Sequence, residues 1–370
     1  MSSWSDLLPE ILNKIAGKFE FYEDLISFLC VCSSWRSSAS TTKKLIPHLP
    51  SRFPLLMLAE SNTQEDDHQD CYKFFLLSSG TMRKMQLPEA RWQRCISTHG
   101  WLLTTGEEEF SAKLLHPLSR TQIDLPELYM FEELYFDQDE WIYYGQSMRK
   151  VVFTSSNPLL LDPDFRVIII WGQTIGFCRL GDVSWTRIAG CDGHLLDITY
   201  HNLRKRQYTV TTVGSIYECD ILSGGPGRLT LKQLSTLPQP EFDFSYHQSA
   251  YLLEWGYDRL LMVTREHQWY KKHVWMMKSG RNSSVLGDKA VFLGFNSSFA
   301  IDAAGGIKPD CIYFTDDLYE PYRDLADGGG GDVGVYHMSD GSIGAIMDAQ
   351  QHLFRGRPPL WLQTSTIPCD

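Results

Sequence analysis

The chain has 370 residues, 43% of them hydrophobic, and carries 45 acidic against 34 basic side chains for a net charge of -11 at pH 7. That balance argues against nucleic-acid binding through a basic face. The longest aliphatic run, Val167-Ile168-Ile169-Ile170, is far too short to cross a bilayer. Nine cysteines without a CxxC pair suggest neither a disulfide framework nor a zinc site, and Trp4, Asp6 and Glu10 interrupt any leader-like apolar stretch. A soluble, reduced protein of the cytoplasm or nucleus is expected.

The first forty residues read as short helices. Asp6 is a candidate cap, Pro9 suits a first helical turn, and Leu8, Ile11, Leu12 and Ile15 recur at helical spacing up to Gly17. A second helix is expected from Asp24 through Leu25, Phe28, Val31/Cys32 and Trp35. So small a piece cannot stabilise a core of its own, so its apolar stripe must pack on the rest of the chain or on another protein. Residues 41–54, with Pro47, Pro50 and Pro54, read as a linker.

Beyond the linker the texture is β. Short runs rich in aromatic and β-branched residues, at 72–77, 100–105, 141–144, 167–171, 208–213, 259–264, 272–277, 291–295, 311–314 and 333–337, alternate with Gly, Pro, Asn and Asp turns. Unit endings recur as Gln86-Leu87-Pro88, Asp124-Leu125-Pro126, Thr186-Arg187-Ile188 and Thr236-Leu237-Pro238. Units of about 40 to 50 residues with about four strands each over roughly 310 residues would make six or seven propeller blades. Two β-sandwiches would explain the strand spacing equally well, though not the repeated endings.

Two resemblances sharpen this reading. The series Trp4-Ser5-Asp6-Leu7, Pro9-Glu10-Ile11-Leu12, Ile15, Asp24, Phe28, Val31-Cys32 and Trp35-Arg36 resembles the F-box of plant proteins. The family commonly has Leu-Pro where Leu7-Leu8 stand here, and often basic residues at Ser27 and Leu29. The resemblance implies docking on a Skp-family adaptor, and through it on a cullin scaffold, by Leu7, Leu8, Pro9, Ile11, Leu12, Ile15, Leu25, Phe28, Val31, Cys32 and Trp35. Further on, Gly100-Trp101-Leu102, His116-Pro117-Leu118-Ser119-Arg120, Gly181-Asp182-Val183-Ser184-Trp185, Cys311-Ile312-Tyr313-Phe314 and Pro358-Pro359-Leu360-Trp361 are similar to the C-terminal domain of plant F-box proteins of the KIB type. That resemblance implies a β-propeller. One departure is Asn202-Leu203-Arg204-Lys205-Arg206, where the family often has Gly-Lys-aromatic, which puts a short basic segment on a loop.

The expected architecture is therefore α+β: an all-α F-box at 1–45, a linker at 46–54 and an all-β KIB-type propeller at 55–370. No catalytic motif stands out: GxxxxGK[ST], HExxH and GxSxG are absent. Asp162/Asp164 and Asp316/Asp317 read as turn carboxylates, Gly328 to Gly331 as a loop, and His267 and His273 as flanking a strand-connecting tip. No catalytic residue, metal site or cofactor is expected. Trp269, Tyr270, Tyr319 and Tyr322, aromatics on loops beside charge, are the candidates for contact with a client protein. The function these features suggest is that of a non-catalytic substrate-recognition subunit of a cullin-based ubiquitin ligase. Sequestration of a client without ubiquitination, and a propeller lectin or enzyme, are the alternatives.

Overall fold

A computed structural model describes residues 4, 7–19, 24, 28, 31–38, 53–58, 71–77, 79–91, 93–106, 110–117, 120–129, 148–155, 158–159, 162–188, 190–222, 229, 231–236, 248–266, 274–278, 286–315, 333–347 and 358–363. Helix α1 (Pro9–Ala16) starts on a proline at its first position; Leu8 occupies the cap and makes no side-chain cap bond, and Asp6, the expected cap, lies outside the described residues. The expected second helix is interrupted. Residues 24 and 28 are helical, Val31 and Cys32 are not, and Trp35 belongs to a separate helix, α2 (Ser33–Ser38).

The rest is a β-propeller. β1 (Leu55–Leu58), β2 (Cys71–Leu76) and β3 (Thr81–Gln86) form most of the first sheet. The second holds β4 (Gln93–Thr98), β5 (Trp101–Gly106), β6 (Ala112–Leu115) and β7 (Gln122–Leu125). The third holds β8 (Met148–Phe153), β9 (Val167–Trp171), β10 (Thr174–Cys178) and β11 (Thr186–Ile188). In the fourth are β12 (Leu195–His201), β13 (Arg206–Thr211), β14 (Ser215–Cys219) and β15 (Lys232–Thr236), and in the fifth β16 (Gln248–Trp255), β17 (Arg259–Glu266) and β18 (Val274–Lys278). The sixth comprises β19 (Lys289–Leu293), β20 (Phe299–Asp302), β21 (Cys311–Phe314), β22 (Gly334–His337) and β23 (Ile343–Gly344), in the spatial order β20-β19-β21-β22-β23 with β19 and β21 parallel. The last strand among the described residues, β24 (Leu360–Leu362), returns to pair with β1.

The recurring endings acquire a structural meaning here. Gln86, Leu125, Ile188 and Thr236 each close the outermost strand of one of the first four sheets. The ring follows from alternation. On β1, Leu55 and Met57 pack with the second sheet, whereas Leu56 and Leu58 pack with Ala290, Phe292 and Tyr313 of the sixth. On β9, Val167 and Ile169 join the core shared with the second sheet, and Ile168 and Ile170 that shared with the fourth. Tyr208 and Val210 meet Ala250 and Leu252 of the fifth sheet, and Tyr251 and Val263 meet Val291 and Ile312 of the sixth. Sheets buried on both faces need near-continuous apolar strands, which is why β9 reads Val-Ile-Ile-Ile-Trp. Two separate sandwiches would not produce this closed circuit. Register seals it: Leu55 stands opposite Leu362, Leu56 opposite Trp361 and Met57 opposite Leu360.

One segment of polypeptide crosses the middle of the ring. Between β19 and β20 the chain runs through Gly294-Phe295-Asn296-Ser297-Ser298 and bonds to sheets that are not neighbours of its own. The Ser97 N–H donates to Phe295 O at 3.3 Å and the Ser297 N–H to Ser97 O at 2.8 Å. The Ser297 hydroxyl donates to Val151 O at 2.5 Å. Beside this crossing lies a buried ion pair, Lys150 Nζ to Asp197 Oδ1 at 3.0 Å, with side chains 5% and 1% exposed. Asp197 also accepts from the backbone N–H groups of Ile198 (2.8 Å) and Leu252 (2.7 Å), and Lys150 donates to Ser298 Oγ at 3.1 Å. Burial pushes the Asp197 carboxyl up, against the pull of Lys150 and the two amides. Both residues sit at register shifts, in β8 and β12, where a bulge re-aims a side chain. Removing one partner strands the other's charge, so Lys150→Ala should destabilise the protein by about 3–5 kcal/mol in urea unfolding, and a Lys150→Met, Asp197→Leu double change should cost much less than the two single changes combined.

Candidate functional site

The helical module has a small core of its own and an apolar face left over. Leu12, Ala16 and Phe28 are buried together, flanked by Leu7, Ile15, Phe19 and Trp35. Phe28 packs on Trp35 with ring centroids 4.6 Å apart, and the Trp35 indole N–H donates to Trp4 O at 3.0 Å. Leu12, expected on the outward stripe, is fully buried, and Trp35 is engaged inside the module. Leu12 and Ala16, four residues apart, share the inward side of α1, whereas Ile11 is one position off that row and Leu8 is the extended cap residue ahead of the first turn, so both stay exposed. Leu8 is 61% exposed, Ile11 43% and Val31 54%, and Trp4 and Pro9 are exposed as well. Cys32 is half-buried, and Leu25 lies outside the described residues.

On the propeller, one mouth of the ring collects the hairpins between the innermost strands and their neighbours. Arg204, in the β12–β13 turn, donates from Nε to Asp258 Oδ1 at 2.6 Å and from NH2 to Asp258 O at 3.1 Å, reaching the β16–β17 turn. Asn202 Nδ2 donates to Glu254 Oε2 at 2.9 Å, and His201 Nδ1 lies 3.4 Å from Glu254 Oε1. Lys205 Nζ reaches Asp164 Oδ2 of the β8–β9 connection at 3.7 Å, and Arg206 NH2 reaches Asp220 Oδ2 at 3.0 Å. The hydrogen bond from Arg204 holds the Asp258 carboxyl below its ordinary range. The basic segment singled out in the sequence is thus charge-matched by neighbouring carboxylates. Asp162 and Asp164 form the expected turn: the Asp164 N–H donates to Asp162 Oδ1 at 2.9 Å. Trp269, Tyr270, Tyr319 and Tyr322, with Asp316, Asp317, His267, His273 and the Gly328 to Gly331 run, lie outside the described residues.

Two histidines of the second sheet end at this same level. His116 is buried edge-on to Trp101 with centroids 5.0 Å apart, and desolvation lowers its pKa from 6.5 to about 4. His99 stacks on Phe153 at 5.9 Å and is lowered to about 4 by burial, opposed by Glu254. A group whose folded pKa lies below its unfolded value leaves stability intact above pH 6.5, and that stability is lost as pH falls toward 4. Urea midpoints should therefore drop between pH 6.5 and 4, and His116→Gln should flatten that slope while lowering the midpoint at pH 7. An unchanged slope in the variant would refute the assignment. Among the described residues no group of His, Cys, Asp and Glu could hold a metal ion, and no helix is long and apolar enough to cross a membrane.

A closed ring of radial sheets with strand-exchange closure defines the β-propeller class, and the chain's residues 74–337 match the KIB1-4 beta-propeller family. The chain belongs to that family. Relatives from Arabidopsis thaliana carry F-box names. At5g55150 is 26% identical over 83% of this chain and 89% of its own length. F-box protein At2g26160 is 25% identical over 85% of this chain and 96% of its own, and F-box protein SKIP23 is 23% identical over 98% and 96%. In this chain the helical module precedes the matched propeller region in sequence.

Proposed function

We propose that this protein is the substrate-recognition subunit of a Skp–cullin–F-box ubiquitin ligase, in which residues 1–45 are the F-box and the six sheets are six blades of a client receptor. The observation that carries the reading is the division of labour in the helical module. Leu12, Ala16 and Phe28 are buried together inside the module, while Trp4, Leu8, Ile11 and Val31 stay exposed. An apolar face that the module does not need for itself fits an adaptor groove. The chain then acts in the cytoplasm or nucleus by proximity: a tethered client meets the ubiquitin-charged enzyme at raised effective concentration, and no bond chemistry falls to this subunit.

The polar groups inside the ring support a receptor over a channel-based lectin or enzyme. Lys150, Asp197, Ser297 and Ser298 are bonded to one another and to backbone rather than lining an open cleft.

Co-expression of the full chain with a Skp-family adaptor and a cullin tests the reading. Leu8→Asp with Ile11→Asp should abolish co-purification, since each buried anchor at an interface centre contributes about 2 kcal/mol or more, while the propeller's melting transition stays put. Leu12→Ala should act differently, by loosening the module itself. Undiminished co-purification of the Leu8/Ile11 variant would overturn the proposal, and adaptor binding without cullin would favour sequestration.

A further inference from the structure

We propose that the interface between the third and fourth sheets holds a phosphate group, bound by the guanidinium groups of Arg166 and Arg179 from one side and by Tyr200 and Gln207 from the other. The site goes beyond the adaptor reading and does not depend on it. Its geometry follows from alternation along the strands. Phe165, Val167 and Cys178 turn toward the second sheet, and Ile168 and Phe177 toward the fourth. Arg166 and Arg179 come one position after the Val167–Cys178 pair, so they face the fourth sheet side by side. Opposite them, Tyr200, Gln207 and Cys219 form one row of paired residues, and Tyr200 and Cys219 pack toward the third sheet. The two rows stand at one level. Lys205, in the β12–β13 turn, reaches Asp164 at 3.7 Å, and Asp164 and Asp162 both act on the Tyr200 phenol.

The groups gathered there have unmet demands. Arg166 is 3% exposed, its Nε has no hydrogen-bond partner, and NH1 donates only within its own turn, to Pro163 O at 2.7 Å and Phe165 O at 2.9 Å. Arg179 is exposed, and among the described residues neither guanidinium forms an ion pair. The neighbouring aspartates are engaged elsewhere: Asp162 accepts from the Asp164 N–H, Asp164 pairs with Lys205, and Asp182 accepts from the Arg179 N–H at 2.8 Å. Like charges opposed across a strand pair destabilise it, and a buried cation without a contacting anion costs more. Burial and Arg179 push the Arg166 pKa down, against the pull of Asp164, Asp182 and Asp162. Gln207 is fully buried with neither amide atom bonded, a second debt at the same interface. One ligand answers both. A carboxylate has two oxygens, enough for one guanidinium fork, whereas a phosphate has oxygens for both forks and for the Gln207 amide or the Tyr200 hydroxyl. Lys205, Arg166 and Arg179 balance Asp162, Asp164 and Asp182, so recognition rests on these donors at contact and not on a long-range field.

Thermal melting of the full chain tests the site. Inorganic phosphate should raise the melting temperature saturably, and NaCl at matched ionic strength should not. Arg179→Gln, a change at an exposed residue, should raise the half-saturating phosphate concentration about tenfold or more, through loss of a charge-assisted hydrogen bond. Gln207→Leu should also weaken the response, yet raise the melting temperature without phosphate, because it removes a buried amide that has no partner. Lys232→Gln, on the exposed strand β15, should change neither quantity. Phosphoserine and a phosphoserine peptide, run alongside, name the source: a response to inorganic phosphate alone supports a free ion, and a stronger response to either ester supports an ester-borne phosphate. The proposal is overturned by a phosphate response no larger than that to NaCl, by a response that Arg179→Gln leaves unchanged, or by acetate acting as well as phosphate.

Discussion

Deleting residues from Gly356 onward should abolish soluble expression of the protein. The deletion removes β24, and with it the fourth strand of the first sheet. The loss is twofold. β1 is left with an open edge next to the ring's seam, where an unpaired strand invites pairing with other chains. Trp361, fully buried, also leaves a large hole: its indole packs edge-on to Phe292 at 5.1 Å and to Tyr313 at 6.1 Å, joining the first sheet to the sixth. Trp361→Ala alone should cost about 3–5 kcal/mol, measured in urea unfolding of the full chain. Soluble, cooperatively melting protein lacking these residues would show that the seam is not held by β24.

The second large effect is expected at Gly294. Its φ is +146, and a Cβ there would lie 1.9 Å from the Thr315 hydroxyl, 3.2 Å from Thr315 Cβ and 3.4 Å from Asn296 Oδ1. The residue starts the segment that crosses the ring, so a displaced backbone moves Phe295 to Ser298 away from Ser97 and Val151 together. Gly294→Val should therefore destabilise by about 3 kcal/mol or more, combining backbone strain with loss of buried hydrogen bonds. Gly181→Ala is the control. It shares a positive φ, +86, but has nothing within 4 Å of the added methyl, so only about 1 kcal/mol is expected. Equal midpoints for the two variants would remove the crossing segment as a stabilising element.

Strands and closure were the legible parts of the sequence. Runs such as 167–171 and 311–314 coincide with β9 and β21, because strands buried on both faces have to be apolar throughout and turns have to interrupt them. The pairing of Leu56 with Trp361 is likewise an expectation of any closed ring whose first and last apolar runs lie at the two ends of the domain. The crossing segment was illegible for the converse reason. Gly294-Phe295-Asn296-Ser297-Ser298 reads as an ordinary polar turn, and its partners at Ser97 and Val151 stand about two hundred and about one hundred and fifty residues away in the chain. In the helical module, spacing identifies an apolar stripe but not which members turn inward. Leu12 and Ile11 are adjacent and equally apolar, and only the packing of Phe28 and Trp35 sorts them. The charged turns at the propeller mouth were half visible. The segment 202–206 stood out as basic, while the carboxylates that neutralise it come from three other stretches of chain.

The antiparallel seam has a mechanical consequence. Leu55, where the chain enters the ring, stands opposite Leu362, where it leaves. A pull applied to the two ends would load the rungs between β1 and β24 one after another, as in opening a zipper, instead of shearing them all at once. Under force the ring is weakest where it is joined, so an unfolding machine that gripped the C-terminal tail would first peel away Trp361 and then meet six sheets, the first reduced to three strands, with no closure left to hold them.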